Sequence, residues 1–588
     1  MKAQENGFMF LSMEGKVKIP FFQRTYVWTE ENWEELLDEL LNESRETNFL
    51  GAIILKHIPT ASGKSKQLEV IDGQQRLTTL SILLKALFDT LSDENKRNCE
   101  GDVMAILKYR KDYTSPDYDL RIEHSQVDSE AYKAVIENTS SDFIQQIDDK
   151  SHLILRCYKY FYQRLREQSE EKKRFLINRL LDPENKMLVV IDLEEKDDEQ
   201  LIFDTLNTAG VRLTVTEIVK NAIFKRLIEL DNKQNAIEFY KKTWEETFLR
   251  DEETLKYWQT ERSTGRLKRD NAEILLHCIG VIKGFYDPNK HTLSDLSKLY
   301  KQELKKIYSK EELKKFIKEI IDYAKIYKEK IITLSEGKTY SFDDSIKRLF
   351  HILDVLEIST FHPFILFVFK KYNDEEKIKK TFFELEKFIV RNMLGKIESV
   401  KNYPKLCKQF IDDLNSLTNK LNEMDWSKVS AGLRKISNND AKLLLFWVEL
   451  YRRYKDNRYD EKELKYEYEL EHIMPIKWEE YWDFNYVPHP DNSLTPEEQK
   501  RDRNEKVRWL GNMTLLKSSL NNEIKNNRFD IKMEGKGRKK GIKHYATLFI
   551  TRDDIVEPYE KGDKVWNESK IEERTKKLEK EIKGIWGR

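Results

Sequence analysis

Short apolar runs alternate with polar turns near the start of the chain, and long amphipathic stretches fill its middle. FLGAIILK at 49–56 and LEVI at 68–71 are rich in branched residues and flank the polar PTASGKSK, which predicts a β-hairpin. LTTLSILLKALFDTL follows, with Leu77, Leu80, Leu83, Leu84 and Leu87 at helical spacing, so a helix is expected to start near Leu77. Helical periods run through the polar region 95–185, and MLVVIDL at 187–193 predicts another strand. Thr214 and Glu217, spaced T-x-x-E, predict a capping box that starts a helix. Trp33, Leu36, Leu37 and Leu40 read as helix core, and Tyr26 and Trp28 as core aromatics on a strand-like segment.

From about 230 to 430 the pattern is amphipathic helix with Lys/Glu faces, as in ELKKIYSKEELKKFIKEIIDYAKIYKEKIITL. AKLLLFWVELYRRY predicts a buried helix, and the chain closes with the charged helix ESKIEERTKKLEKEIKGIW. Between them lie short strand candidates, prolines and polar loops. The expected class is a mainly helical α+β protein with domains at 1–230, 231–430 and 431–588.

Composition changes this picture little. The 588 residues are enough for several cores, and 39% hydrophobic content supports them. The 104 basic and 104 acidic side chains cancel, so any nucleic-acid surface must be local. Cys99, Cys157, Cys278 and Cys407 form no CxxC pair, which fits free thiols and excludes a cysteine-built zinc ribbon. The first twenty residues are interrupted by Glu5 and Glu14, and no apolar segment approaches the ~20 residues of a membrane span. The expectation is a cytoplasmic protein.

Candidate chemistry gathers at the two ends. In YELEHIMPIKW (468–478) an acid and a histidine stand side by side before a proline. Downstream, Val507–Trp509 and Met513–Leu516 predict two short strands around a Gly511-Asn512 turn, and Ser518 or Ser519 would cap a helix through the 520s. Glu471 and Asn521 could offer oxygen ligands to a divalent ion, His472 could take a proton from water, and Asn512 could bridge two backbone segments. Taken singly, each piece also fits a plain structural role. Eight cations against two acids follow at 525–543, among them Lys525, Arg528, Lys532, Lys536, Arg538, Lys539, Lys540 and Lys543. That run suits a phosphate backbone, or is a solvated basic loop. His489 and His544 read as solvated loop histidines.

At the other end, LEVIDGQQRLTTL (68–80) turns a strand into a helix at Asp72-Gly73. The helix start, Arg76 and the amides of Gln74 and Gln75 make an anion cradle, and Asp72 could hold a metal or orient a water. No GxxxxGK[ST] occurs, so a P-loop is excluded.

EHIMP with LGNMTLL and LNNEIKNNRF resembles the HNH, or ββα-metal, nuclease finger, especially that of the GmrD half of GmrSD-type type IV restriction enzymes. The resemblance implies that Glu471 and Asn521 are metal ligands, His472 the general base and Asn512 the residue that fixes the loop. It continues in Asn526, Phe529 and Lys532. The acid before the histidine is glutamate here, where many such fingers carry aspartate. DGQQRLTTL, with IPFFQRTYVW (19–28), FLGAIIL and FDTLNTAGVRLTVTEIVKNAIF (203–224), is similar to the ParB-like GmrS half. That likeness implies a nucleotide motif of Asp72, Gly73, Gln74, Gln75 and Arg76, a companion segment with Gln23 and Arg24, and a third segment with Asn207 and Gly210.

The implied protein is a nucleoside-triphosphate-regulated, Mg²⁺- or Mn²⁺-dependent DNA endonuclease of phage defence. It would act on modified DNA, with Lys525, Arg528, Lys532, Arg538, Lys539 and Lys540 on the DNA and a homo-oligomer left open. The alternatives are a nucleotide-gated DNA-binding sensor with an inactive finger, and an RNA-directed nuclease.

Overall fold

The computed structural model describes residues 2–42, 49–58, 60, 65–110, 117–124, 126–138, 141–194, 214–264, 267–331, 339–456, 460–520, 526–537 and 539–587. Its residues fall into two units, Met1–Tyr240 and Lys241–Arg588.

In the first unit, six strands form one mixed sheet: β1 (Lys2–Asn6), β2 (Lys16–Lys18), β3 (Gly51–Ile58), β4 (Gln67–Asp72), β5 (Ile122–Glu123) and β6 (Leu188–Leu193), in the order β1-β6-β3-β4-β2-β5. The branched runs pair antiparallel as β3 and β4, with an irregularity between Ile54 and Leu55. β6 runs parallel to β3, and β2 runs parallel to both β4 and β5. Helix α1 (Glu30–Leu41) buries Trp33, Leu36, Leu37 and Leu40. Helix α2 spans Gln74–Thr90 and packs on α3 (Leu153–Arg166). It therefore begins at Gln74, three residues before the first leucine of its apolar stripe, because Gly73 already turns the chain at φ +90°. Tyr26 is buried in irregular backbone rather than in a strand, and its hydroxyl bonds Thr79 Oγ1 (2.6 Å) and accepts from the Trp33 indole (2.9 Å). Helix α4 (Val215–Leu230) starts with the Thr214–Glu217 capping box.

The second unit is helical, with small two-stranded sheets among its described residues. Four elements position the site: α5 (Glu375–Gly395), α6 (Asn438–Lys455), the hairpin β7 (Tyr468–His472) with β8 (Met513–Lys517), and the closing α9 (Glu568–Trp586). Trp586 ties the end of α9 to α5, its indole donating to Glu386 (2.7 Å) and its carbonyl accepting from Arg391 (2.7 Å). All four cysteines are buried and free.

The hairpin departs from expectation. Met513–Leu516 lies in a strand, but its partner is β7, with His472 opposite Met513 and Glu471 opposite Thr514. Val507–Trp509 is no strand; it leaves helix α7 (Pro496–Lys506), which opens on Pro496 and a Thr495–Glu498 capping box. Val507 and Trp509 are apolar because they drop into the core beyond that helix. Gly511 is required at the turn, where an added Cβ would lie 2.1 Å from the Ile571 carbonyl of α9.

Candidate active site

β7 ends on the acid–histidine pair, and neighbouring strand residues point to opposite faces. The buried Glu471 side chain leaves toward helix α8 (Phe529–Glu534), where its carboxylate pairs with Lys532. Lys532 is fully buried and also donates to the His472 carbonyl (2.7 Å). This corrects the expectation of a DNA-contacting Lys532: its ammonium faces the protein interior. Burial pushes the Glu471 carboxyl up and the Lys532 ammonium down, and each partner's charge opposes the other's shift.

His472 shares the other face with Met513. It lines a cleft of about 460 Å³ with Arg434, Lys435, Ile436, Ser437, Asn438, Glu505 and Arg508 among its other walls. Burial first, then the Lys532 and Arg508 charges, lowers its imidazole to about 4, so the ring is neutral at physiological pH. Its buried Nε2 has no hydrogen-bond partner among the described residues.

Asn512 is fully buried and saturates its carboxamide. Nδ2 donates to the carbonyls of Met474 (2.7 Å) and Val507 (2.8 Å), while Oδ1 accepts from the Met474 N–H (2.9 Å) and the Trp566 indole (3.1 Å). Its own carbonyl accepts from the Ile473 N–H (2.9 Å). Asn512 thus locks the residues just after His472 to the β8 turn, and no hydrogen-bonding capacity is left for a ligand.

Asn521, Lys525 and Arg538 lie outside the described residues, as do Asn207 and Gly210. The chain is helical at 518–520 before that gap. Among the described residues no three His, Cys, Asp or Glu side chains gather as a metal cage. Glu471 is the one carboxylate of the expected ligand set that can be placed; an oxygen donor of this kind suits Mg²⁺ or Mn²⁺, but here it is paired with Lys532 and does not line the His472 cleft, so an ion would have to displace the ammonium. Of the basic run, Arg528 is exposed and stacks on Tyr486 (4.7 Å), Lys536, Lys539 and Lys540 are exposed, and Lys543 pairs with Glu534. His489 is not solvated: it is buried between Asp502 (3.0 Å) and the Asp491 N–H (3.1 Å).

At the amino-terminal motif, the Gln74 amide donates to the Arg24 carbonyl (3.1 Å). Gln75 donates to Thr25 O (3.1 Å) and accepts from the Val27 N–H (2.8 Å). Gln23 donates to Val70 O (2.7 Å), and Arg76 to Ala52 O (2.7 Å). The structure thus brings Gln23, Arg24, Asp72 and Gln74–Arg76 together: Gln74 and Gln75 bind segment 24–27 to the start of α2 and Gln23 binds β4, while the buried Oε1 atoms of Gln23 and Gln74 have no partner among the described residues. Asp72 is pushed up by burial, against the Gly73 N–H and the charges of Arg76 and Arg24. Sequence reasoning missed Lys220, which is buried on α4, held at about 8 by burial, and electrostatically coupled to Glu217 and Arg24. It also missed Arg434, Lys435 and Arg508. The signals available were a lysine inside the apolar stripe of TEIVKNAIF, and an Arg-Lys pair just before the Ser437 helix cap.

The two ends of the chain match the two parts of one class of protein, the restriction endonucleases. Residues 8–224 match the N-terminal domain of the GmrSD restriction endonucleases, and residues 424–581 match their C-terminal domain. The chain belongs to the GmrSD restriction endonuclease family. It is also 24% identical over 248 residues to the uncharacterized protein MJ0686 of Methanocaldococcus jannaschii. That match covers 37% of this chain and 41% of the relative, so it spans less than half of the relative's length.

Proposed function

We propose that the chain is a nucleoside-triphosphate-regulated, divalent-metal-dependent DNA endonuclease of a phage-defence system, acting on modified DNA through an HNH finger at its carboxyl end. The observation that carries this reading is His472, a neutral imidazole whose buried Nε2 has no partner among the described residues, at the edge of a cation-lined cleft. His472 takes the proton from the attacking water, and Asn512 holds the backbone that aims it. Glu471 and Asn521 would hold Mg²⁺ or Mn²⁺, which supplies charge neutralisation at the phosphate and the leaving oxygen. Arg528, Lys539 and Lys540, with Lys525 and Arg538, would contact the DNA outside the cleft.

The amino-terminal domain, 1–230, would bind the triphosphate through Asp72, Gly73, Arg76 and Arg24, with Gln23, Gln74 and Gln75 shaping the segment around it. Residues 231–430 would connect it to the nuclease domain at 431–588. No helix among the described residues is long and apolar enough to cross a membrane.

His472→Ala tests the nuclease assignment: metal-dependent cleavage is lost while DNA binding and the unfolding midpoint stay at parent values. Cleavage at the parent rate would remove His472 as the base. Asp72→Ala tests the other end and abolishes nucleotide hydrolysis or the response of cutting to nucleotide.

The Glu471–Lys532 pair favours a second reading, a nucleotide-gated DNA sensor whose finger is structural, because a carboxylate engaged by a lysine needs no metal to satisfy it. Divalent-ion binding without cleavage of any DNA separates the two. Assays on RNA distinguish an RNA-directed nuclease, which would use the same site.

A further inference from the structure

We propose that the cleft on the His472 face of the hairpin seats the nucleic-acid backbone, with Lys435, Arg508 and Arg434 holding phosphates beside the bond to be cut. This rests on the endonuclease reading of His472 and assigns the phosphate contacts which that reading leaves open.

Three segments distant in sequence converge there. His472 and Met513 form one wall, residues 434–437 ahead of α6 with Asn438 at its start form another, and Glu505 and Arg508 at the end of α7 form a third. The walls are fastened to the hairpin turn: the Leu510 N–H donates to the Leu433 carbonyl (3.0 Å), next to Arg434 and two residues from Asn512. The Arg434 guanidinium lies over the Trp509 ring (5.2 Å), which holds a long side chain in place at little further entropic cost.

The charge in the cleft is lopsided. Arg434, Lys435 and Arg508 face one acid, Glu505, and neither Lys435 nor Arg508 has a carboxylate partner among the described residues. In the expected basic run, by contrast, Lys532 is consumed by Glu471 and Lys543 by Glu534. The volume, about 460 Å³, equals roughly fifteen waters of bulk liquid, far more than a buried ion requires. A space of that size, with exposed cations around it and an imidazole at its edge, matches a phosphodiester chain rather than an apolar ligand.

The test uses the full chain and a short labelled, unmodified DNA duplex, read by fluorescence anisotropy across a salt series. Lys435→Glu/Arg508→Glu is expected to weaken binding about tenfold or more and to flatten the dependence of log K on log salt, by roughly 0.9 for each phosphate no longer neutralised. Both residues are exposed, so the variant keeps the parent unfolding midpoint. Glu505→Gln is expected to tighten binding, a change that a merely structural residue would not produce. Lys539→Glu/Lys540→Glu is the comparison with equal charge change, and its loss of affinity is expected to be smaller. A double variant at 435 and 508 that binds with parent affinity and salt slope overturns the proposal, as does a parent chain that binds no duplex. If binding falls but the parent cuts no DNA, the seat stands and the nuclease reading fails. If the parent cuts and the double variant cuts and binds equally well, the reverse holds.

Discussion

Lys532 closes on Glu471 from the buried side of the hairpin, and the same ammonium holds the carbonyl of His472. One cation thus fixes both the acid and the backbone of the histidine beside it. The Lys532 side chain is wholly buried and that of Glu471 is 12% exposed, so neither charge is relieved by solvent if the other is removed.

Breaking this pair on one side should be costly. Glu471→Gln, or Lys532→Met, is expected to lower stability by about 3–5 kcal/mol, since each leaves a buried charge or its desolvated partner uncompensated. Glu471→Gln/Lys532→Met removes both charges and should recover most of that stability in chemical denaturation. Cleavage should stay absent or strongly reduced in the recovered double variant, because the proposed anionic metal ligand has become a neutral amide. A double variant as unstable as the singles would show that packing, not pairing, governs this site.

In the proposed site Asn512 would act through position rather than contact with substrate. Its four side-chain hydrogen bonds join the backbone after His472 to the end of α7 and to the Trp566 indole. Asn512→Ala leaves several buried groups unpaired and is expected to cost about 2–4 kcal/mol. Asn512→Asp does not rescue it, because an oxygen would replace the Nδ2 that faces two carbonyls. Denaturation midpoints for the two variants check this, and an Asn512→Asp protein of parent stability would sink it.

Within the DGQQR motif the glutamines and Arg76 bind neighbouring backbone, whereas Asp72 is proposed to meet the nucleotide. Gln75 bonds both Thr25 and Val27, so Gln75→Met should cost about 1–3 kcal/mol and open segment 22–28 to limited proteolysis. Asp72→Asn should leave the proteolysis pattern unchanged and alter only the response to nucleotide. Equal proteolytic protection of the Gln75→Met and parent chains would refute the bracing role.

What the sequence can and cannot reveal follows from the range of each signal. The branched runs of β3 and β4 and the leucine stripe of α2 are local patterns, and they fold as their periods predict. Val507–Trp509 mimics a strand because burial after a helix exit leaves the same apolar spacing; the Thr-Pro-Glu-Glu start of α7 is the stronger signal. Lys532 sits in a run of cations, and nothing in that run marks it as buried, since its partner is 61 residues earlier. The amides of Gln74 and Gln75 pass for ligand groups because the chain segment they bind lies 50 residues away for each. Arg434 and Arg508 reach the His472 cleft only through tertiary folding, so no spacing rule joins them to it.

Buried neutral imidazoles make acid the weak side of the second unit. His351 accepts the Trp447 indole hydrogen through Nδ1 (3.1 Å), and its Nε2 has no partner among the described residues. Burial lowers its ionisation to about 3, and likewise places His277 at about 3 and His362 at about 4. In the unfolded chain these rings protonate near ~6.5. Between those values the unfolded state binds more protons, so the contribution to stability is full above about pH 6.5 and is lost progressively as pH falls toward the folded values. The unfolding midpoint should therefore drop between pH 7 and pH 5, with each such ring costing up to about 2 kcal/mol over that interval. His351→Gln keeps an acceptor for Trp447 but does not titrate, so its midpoint should decline less steeply. Parallel pH profiles for parent and His351→Gln would mean that His351 takes up no proton on unfolding and has no part in the acid sensitivity.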